Sequence, residues 1–448
     1  MTRLLGHRTR WTLAATVSAA TTGWLGLFGF GWNDYDNEAR VPVYALVHGH
    51  LGTFLREAPV YGGSLLERAP FALIPDLWGG GELATYRMLA LPCLLAGAIL
   101  GLWLVAQIRR RDGSLLTQLV ALGLCTANPL TLAALELGHP EELFGGCLCI
   151  AAVLLAARNK PVLAGLAIAA AIANKEWAIV ALGPVLLALP ARRMLLLSVT
   201  GAMSAVLLAP FALAGHSAFG ASLHGAATPS SAIFQPWQIW WFLGHHGEVV
   251  RGLFGAVKPG YRTAPSWIGA VSHPLIVLSA FALCIPLLPG LRRARNTPGV
   301  PLERISDRPR PRRRAIPERD ALLLLALVLL VRCVLDTWDN VYYPLPFVLA
   351  LLTWETLAFR RPAIVSLSST VLIWVGCEWL PSFASADAQA AFFLAWTLPL
   401  TTWLSLTLYA RGHASVDERK RLGQLRKPLR AVVLDHGQVL DAHAQAPG

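Results

Sequence analysis

Residues 11–30 read WTLAATVSAATTGWLGLFGF, and residues 31–38 continue GWNDYDNE. The first stretch carries no ionisable side chain and has the length, about 20 residues, that a helix needs to cross the hydrocarbon of a bilayer. It then stops on three carboxylates, Asp34, Asp36 and Glu38. Arg3, Arg8 and Arg10 precede the apolar stretch. Basic residues stay on the cytoplasmic side, so the N-terminus is expected inside and the acidic knot outside. No small-residue cleavage site separates the two, so residues 11–30 read as a retained first helix rather than a signal peptide.

The rest of the chain repeats this pattern. Of its 448 residues 55% are hydrophobic and 14% charged, against about 25% charged in a soluble domain. Further apolar segments lie near 85–108, 115–137, 142–157, 161–174, 177–190, 194–214, 271–290, 320–335, 344–359, 362–380 and 388–410. The fold expected is an all-α integral membrane protein, a polytopic helical bundle of about twelve transmembrane helices with mostly short outer loops. Residues 1–410 form the membrane domain and 411–448 a basic cytoplasmic tail. The net charge of +12 comes mostly from arginine. Arg109 to Arg111, Arg158 with Lys160, Arg192 with Arg193, Arg292 with Arg293 and Arg360 with Arg361 each follow a segment that should run inward. The prolines and arginines of 291–319 form a cytoplasmic linker. This basicity reads as orientation and contact with membrane lipids, and no nucleic-acid module is visible. The seven cysteines lie in or beside apolar segments and form no CxxC pair, so they read as small buried hydrophobes.

With that topology, most polar residues outside the arginine-rich segments fall on the outer face. Loop one, 31–84, holds the acidic knot and Tyr61-Gly62-Gly63-Ser64; the glycines suit a tight turn. In an extended chain Asp34, Asp36 and Glu38 point the same way; in a helix Asp34 and Glu38 share a face. Either way two carboxylates converge, one fit to act as a general base. His139, Glu141 and Glu142 begin a segment at its outer end, either as helix caps or as cleft lining. Lys175 and Arg332 are isolated cations near apolar segments and should pair or meet an anion such as a phosphate. Lys175 has Glu176 beside it and Arg332 has Asp336. Asp339, Asn340, Tyr342 and Tyr343 offer hydrogen bonds and stacking to sugar hydroxyls, or an aromatic belt. In the long loop four, 215–270, Trp237, Trp240 and Trp241 are spaced as an interfacial amphipathic helix, and His245-His246 lacks a third ligand for zinc.

The acidic motif after the first helix, Gly138-His139-Pro140-Glu141-Glu142, Ala164 to Ala169 and Asn174-Lys175-Glu176-Trp177 resemble the GT-C membrane glycosyltransferases. Within these the chain is similar to glycosyltransferase family 87, over roughly residues 10–410. That resemblance implies transfer of one sugar, mannose or arabinose type, from a polyprenyl-phosphate-linked donor to a glycan or glycolipid acceptor. It implies inversion at the anomeric carbon, on the outer face of the cell membrane. It implies a loop-one aspartate as base, with Asp34 at the best-matching position and Asp36 second. Glu38, His139, Glu141, Glu142, Lys175, Arg332, Asp339, Asn340, Tyr342 and Tyr343 would then bind substrate, and no metal or cofactor is needed when lysine and arginine stabilise the leaving phosphate. Two other readings are a transporter or lipid flippase, disfavoured by the lack of an internal repeat, and an O-antigen polymerase or ligase, for which loop four offers His245, His246 and Arg251.

Overall fold

The computed structural model describes residues 7–28, 34–215, 220, 234–246, 260–288 and 315–410. Trp32, Asn33, the middle of the loop at 215–270 with Arg251, most of the linker at 291–319 and the tail from 411 lie outside the described residues. The chain divides into a compact unit, Met1–Thr401, which holds every element before the last helix, and a second unit, Thr402–Gly448, of which the described residues 402–410 are helical.

Among the described residues the chain is all helix, with one isolated bridge between His245 and Thr263. The N-terminal half comprises α1 (His7–Phe28), α2 (Arg40–Val47), α3 (Leu51–Glu57), α4 (Gly62–Ala72), α5 (Glu82–Arg109), α6 (Leu115–Thr126), α7 (Pro129–Glu136), α8 (Glu141–Ala157), α9 (Pro161–Asn174), α10 (Leu182–Ala188) and α11 (Arg193–Ala214). Beyond it come α12 (Ser266–Cys284), α13 (Glu318–Leu335), α14 (Leu345–Ala358), α15 (Ile364–Trp374) and α16 (Ala386–Ala410). Helix covers each segment read as a span. Among the described residues six helices, rather than about twelve, meet the length and apolarity of a crossing: Glu82–Arg109, Leu115–Glu136, Arg193–Ala214, Ser266–Leu287, Ile364–Ser382 and Ala386–Ala410. Pro161–Asn174, Glu176–Ala188 and Leu345–Ala358 are apolar but shorter. Local chemistry cuts them: Pro161 opens α9, and Lys175 leaves the helical region at φ −156° and ends it.

Burial follows composition. α13 and α14 are apolar on all sides, the mark of a central helix, and Ala321 to Leu330 and Leu345 to Leu352 are almost wholly buried. They pack on each other and on α8, which packs on α9, and α9 on α11. The two ends of the bundle differ. At one end Arg111 Nη1 donates to the carbonyls of Leu357 (2.7 Å) and Thr356 (3.3 Å), closing the C-terminus of α14. There too Arg109 lies over Trp11 and Arg158 over Trp103, and Glu355 accepts from the Ser366 N–H (2.7 Å) to start α15. The other end holds the start of α8, the end of α9 and the loop between α13 and α14. The end of α1 joins it, since Arg87 donates to the Leu27 carbonyl.

Loop one is folded, not open. It forms α2 to α4, and Gly62 and Gly63 make the first turn of α4 rather than a tight turn. A Cβ at Gly63 would stand 2.4 Å from the Ala173 carbonyl oxygen. Only glycine lets α4 cross α9 this closely, as small residues do between membrane helices.

Candidate functional site

Asp34 precedes a single π-turn, Tyr35–Ala39, that leads into α2. The helical alternative for the acidic knot is the one realised. Asp34 and Glu38 share a face, and Asp36 turns away. Asp36 pairs with Arg40 (3.4 Å), which also holds Glu82 (2.6 Å). Glu38 accepts from the Tyr61 hydroxyl (2.5 Å). Asp34 Oδ2 meets His139 Nε2 at 3.0 Å, with 27% of the Asp34 side chain exposed. Its Oδ1 has no partner among the described residues.

His139 is held by backbone geometry. Gly138 sits at φ +92°, a conformation suited to glycine, and a Cβ there would stand 2.5 Å from the Tyr35 amide nitrogen. The absence of a side chain lets the α7–α8 turn press against the Asp34 turn. The His139 ring lies between aromatic neighbours, 4.9 Å from Tyr342 and 5.9 Å from Tyr61. Its Nδ1 meets Glu141 Oε1 at 2.8 Å. A carboxylate on each ring nitrogen requires a proton on each, so the ring is an imidazolium. Burial and the Lys175 ammonium oppose that charge; Glu141 and Asp34 outweigh them and push His139 up to about 9.

Glu141 is the hub beneath. Besides His139 it meets Lys175 Nζ (3.4 Å) and Arg68 Nη2 (3.4 Å), and only 1% of it is exposed. Lys175 also lies 4.1 Å from the Tyr61 ring centroid. The carboxylates of α8 are therefore not helix caps; the N-cap is Pro140, with no side-chain cap bond. A cavity of about 10 Å³, lined by Tyr35, Tyr61, Arg68, Tyr86, Gly138 and Glu141, lies behind the cluster, about the space of one water.

The next residue serves a second cluster. Glu142 Oε1 accepts from Trp177 Nε1 (3.1 Å), and Oε2 faces Arg332 Nη1 at 3.9 Å. The Arg332 guanidinium is flanked by Trp177 (4.8 Å) and Tyr343 (4.9 Å) and donates to the Tyr343 carbonyl (3.3 Å). Asp336, expected beside Arg332, accepts instead from the Trp338 N–H and faces His273 at 3.5 Å.

Two expected residues turn inward. Asp339 accepts from the Asn340 N–H and Asn340 Oδ1 from the Val341 N–H, so both side chains serve their own turn. Burial pushes the Asp339 carboxyl well above its usual range, and neighbouring Asp336 adds to this. The tryptophans of loop four do not form an amphipathic helix. Pro236 and the Gln238 side chain, which bonds Gln235 O and Trp240 N, fold the segment into turns. The indoles of Trp237, Trp240 and Trp241 are tied to Gly376 O, Leu335 O and Asp387 Oδ1. Arg262 also forks onto Asp387, at 2.9 and 3.0 Å.

Sequence reasoning assigns no site role to Arg68, nor to Tyr61, Ser64, Asn174 and Trp177, although these four stand in stretches it quotes. A signal exists for Arg68: it is a basic residue in a loop assigned to the side that the positive-inside rule leaves poor in cations. The description of glycosyltransferase family 87 matches residues 62–300, more than half of the chain. No curated protein and no solved structure matches it.

Proposed function

The chain belongs to glycosyltransferase family 87, and on that premise we propose that it moves one sugar, of the mannose or arabinose type, from a polyprenyl-phosphate donor to a glycan or glycolipid acceptor. Asp34 is the general base. The observation that carries this reading is the Asp34–His139 contact of 3.0 Å, made through Oδ2, the only Asp34 carboxylate oxygen with a partner among the described residues. The imidazolium orients the carboxylate and leaves Oδ1 for an incoming hydroxyl.

The step balances without further reagents. The acceptor oxygen bonds to the anomeric carbon from the face opposite the phosphate. Its proton passes to Asp34 Oδ1. The bond from the anomeric carbon to the phosphate oxygen breaks, and the electron pair leaves on the polyprenyl phosphate, so the configuration inverts. Lys175, 12% exposed, is the better placed of the two expected phosphate partners. Arg332 is 3% exposed and committed to Glu142, Trp177 and Tyr343. Asp36 is the weaker base candidate because it faces Arg40 and not the cluster. The arginine-rich end of the bundle fits the cytoplasm and the Asp34 end the outside of the cell membrane. The test is transfer of radiolabelled sugar from polyprenyl-phosphate-mannose and polyprenyl-phosphate-arabinose in membranes. The wild type should transfer from one of them, and Asp34→Asn should not. Undiminished transfer by Asp34→Asn would reject the base assignment; flux of the donor across vesicles without chemical change would favour a transporter.

A further inference from the structure

We propose that Glu141 is a positioning residue, anchored by Arg68, that keeps His139 doubly protonated and aims its Nε2–H at Asp34. This rests on the reading of Asp34 as base and adds what makes that base work. It also moves Glu141 out of the substrate contacts expected from the family resemblance. A carboxylate that is 1% exposed and surrounded by His139, Arg68 and Lys175 has no face left for a substrate.

The anchoring is double and leads back to one residue. Arg68 is itself 3% exposed and donates through Nε to the Ser64 carbonyl (3.1 Å) and through Nη1 to the Leu89 carbonyl (3.4 Å). The Glu141 backbone carbonyl accepts from Asn174 Nδ2 (2.9 Å), and Asn174 Oδ1 accepts from Ser64 Oγ (2.7 Å). Side chain and main chain of Glu141 are thus both referred to Ser64 on α4. A hydrogen-bond network closed in this way fixes position better than one contact can.

The charge count gives the arrangement its effect. Around the His139 ring stand Asp34 from the first π-turn, Glu141 from α8, Lys175 from the end of α9, Tyr61 from before α4 and Tyr342 from the loop before α14. Glu38 reaches the ring only through Tyr61, Arg68 stands behind Glu141, and Glu142 faces Arg332. If Glu141 were neutral, His139, Lys175 and Arg68 would be three buried cations that have lost the carboxylate they share; Asp34 would remain for His139, and Glu142, Glu176 and Glu38 for Lys175. Buried charge is tolerated only when paired. His139 would give up its Nδ1 proton, the one that Glu141 accepts, and become a neutral ring whose Nε2–H alone still faces Asp34. Asp34 would then keep a neutral donor but lose the charge-assisted one, and with it the firm hold on the oxygen that orients the base.

The experiment reads His139 directly, with no substrate present. The full chain, labelled at histidine Cε1, is placed in nanodiscs, and the His139 resonance is identified by its loss in His139→Gln. We expect the wild-type signal to titrate in the alkaline range and the Glu141→Gln signal to titrate lower by about 2 units or more. Arg68→Lys, which keeps the charge, should stay within about 1 unit of wild type. An unmoved midpoint in Glu141→Gln overturns the proposal. If Glu141→Gln fails to fold, Glu141→Asp takes its place: its shorter carboxylate withdraws from Nδ1 and should lower the midpoint in part, and an unchanged one counts equally against. The alkaline limb of the pH–kcat/KM profile should move with the midpoint, which loss of packing would not cause. Asp34→Asn separates the two readings: if it transfers sugar normally, the base assignment fails while the titration still decides the role of Glu141.

Discussion

Two aspartates at a helix start meet cationic partners here, and they are used differently. Asp387 is saturated. Arg262 forks onto both oxygens at 2.9 and 3.0 Å, Trp241 donates to Oδ1 at 2.8 Å, and His246 stands 3.5 Å from Oδ2. Among the described residues Asp34 has one partner on one oxygen, and that partner leans on a second, buried carboxylate. Exposure does not separate them: the Asp387 side chain is 39% exposed and that of Asp34 27%. What separates them is unused valence. A carboxylate whose lone pairs are all engaged clips one segment to another, here the turns of loop four to the start of α16. A carboxylate held firmly through one oxygen keeps the other for chemistry.

The largest test of this contrast is Asp34→Asn. Loss of a positioned base costs about 10²–10⁴-fold in turnover, and the melting temperature in detergent should hardly change because the amide still fills the site. Next is His139→Gln, which keeps a donor toward Asp34 but loses the charge. We expect transfer to fall by about 10²-fold, read from kcat with donor saturating. A result near wild type would mean that Asp34 needs no orienting partner. The third is pH. His139 is raised from about 6.5 in the unfolded chain to about 9 in the fold. Its contribution to stability is complete below the lower value and is lost as pH rises through the upper one. Thermal unfolding between pH 6 and 10 should show this fall, and His139→Gln should flatten it.

The fourth test inverts the first. Asp387→Asn should lower the melting temperature while the protein that stays folded transfers sugar at a rate within about two-fold of wild type, since its charged hydrogen bonds serve structure. Loss of turnover without loss of stability would break the comparison. The smallest effect is expected for Asp36→Asn. Its pair with the half-exposed Arg40 is a surface contact, worth about 0–1 kcal/mol, and activity should stay within about three-fold.

These contrasts also show which features a sequence reader can reach. The apolar segments are legible because a membrane imposes a length on each one, and the order of helices follows. Their crossings are less so: α13 and α14 are buried in the middle of the bundle, and burial in protein and burial in lipid leave the same apolar signature. Asp34, His139, Glu141 and Lys175 are legible as polar residues interrupting apolar runs, where charge is costly and so has a reason. Their wiring is not. The choice of Asp34 over Asp36 depends on the phase of a single π-turn, and Arg262 and Asp387 lie 125 positions apart. The loop-four tryptophans mislead because their spacing suits a helix that Pro236 and Gln238 prevent.

One contact has a bearing on how the protein is made. Asp34 and His139 are 105 positions apart, and Gly138 rests on the Tyr35 backbone with no room for a side chain. The ribosome therefore releases the acidic turn long before the residue that completes it. Until the α7–α8 turn has been inserted and docked, the nascent chain carries an aspartate with nothing to aim it. With Asp34 as the proposed base, reactivity appears only when two separately inserted parts have reached the same end of the bundle. A chain that stalls or threads wrongly stays chemically silent, so competence for transfer doubles as a proof of correct insertion.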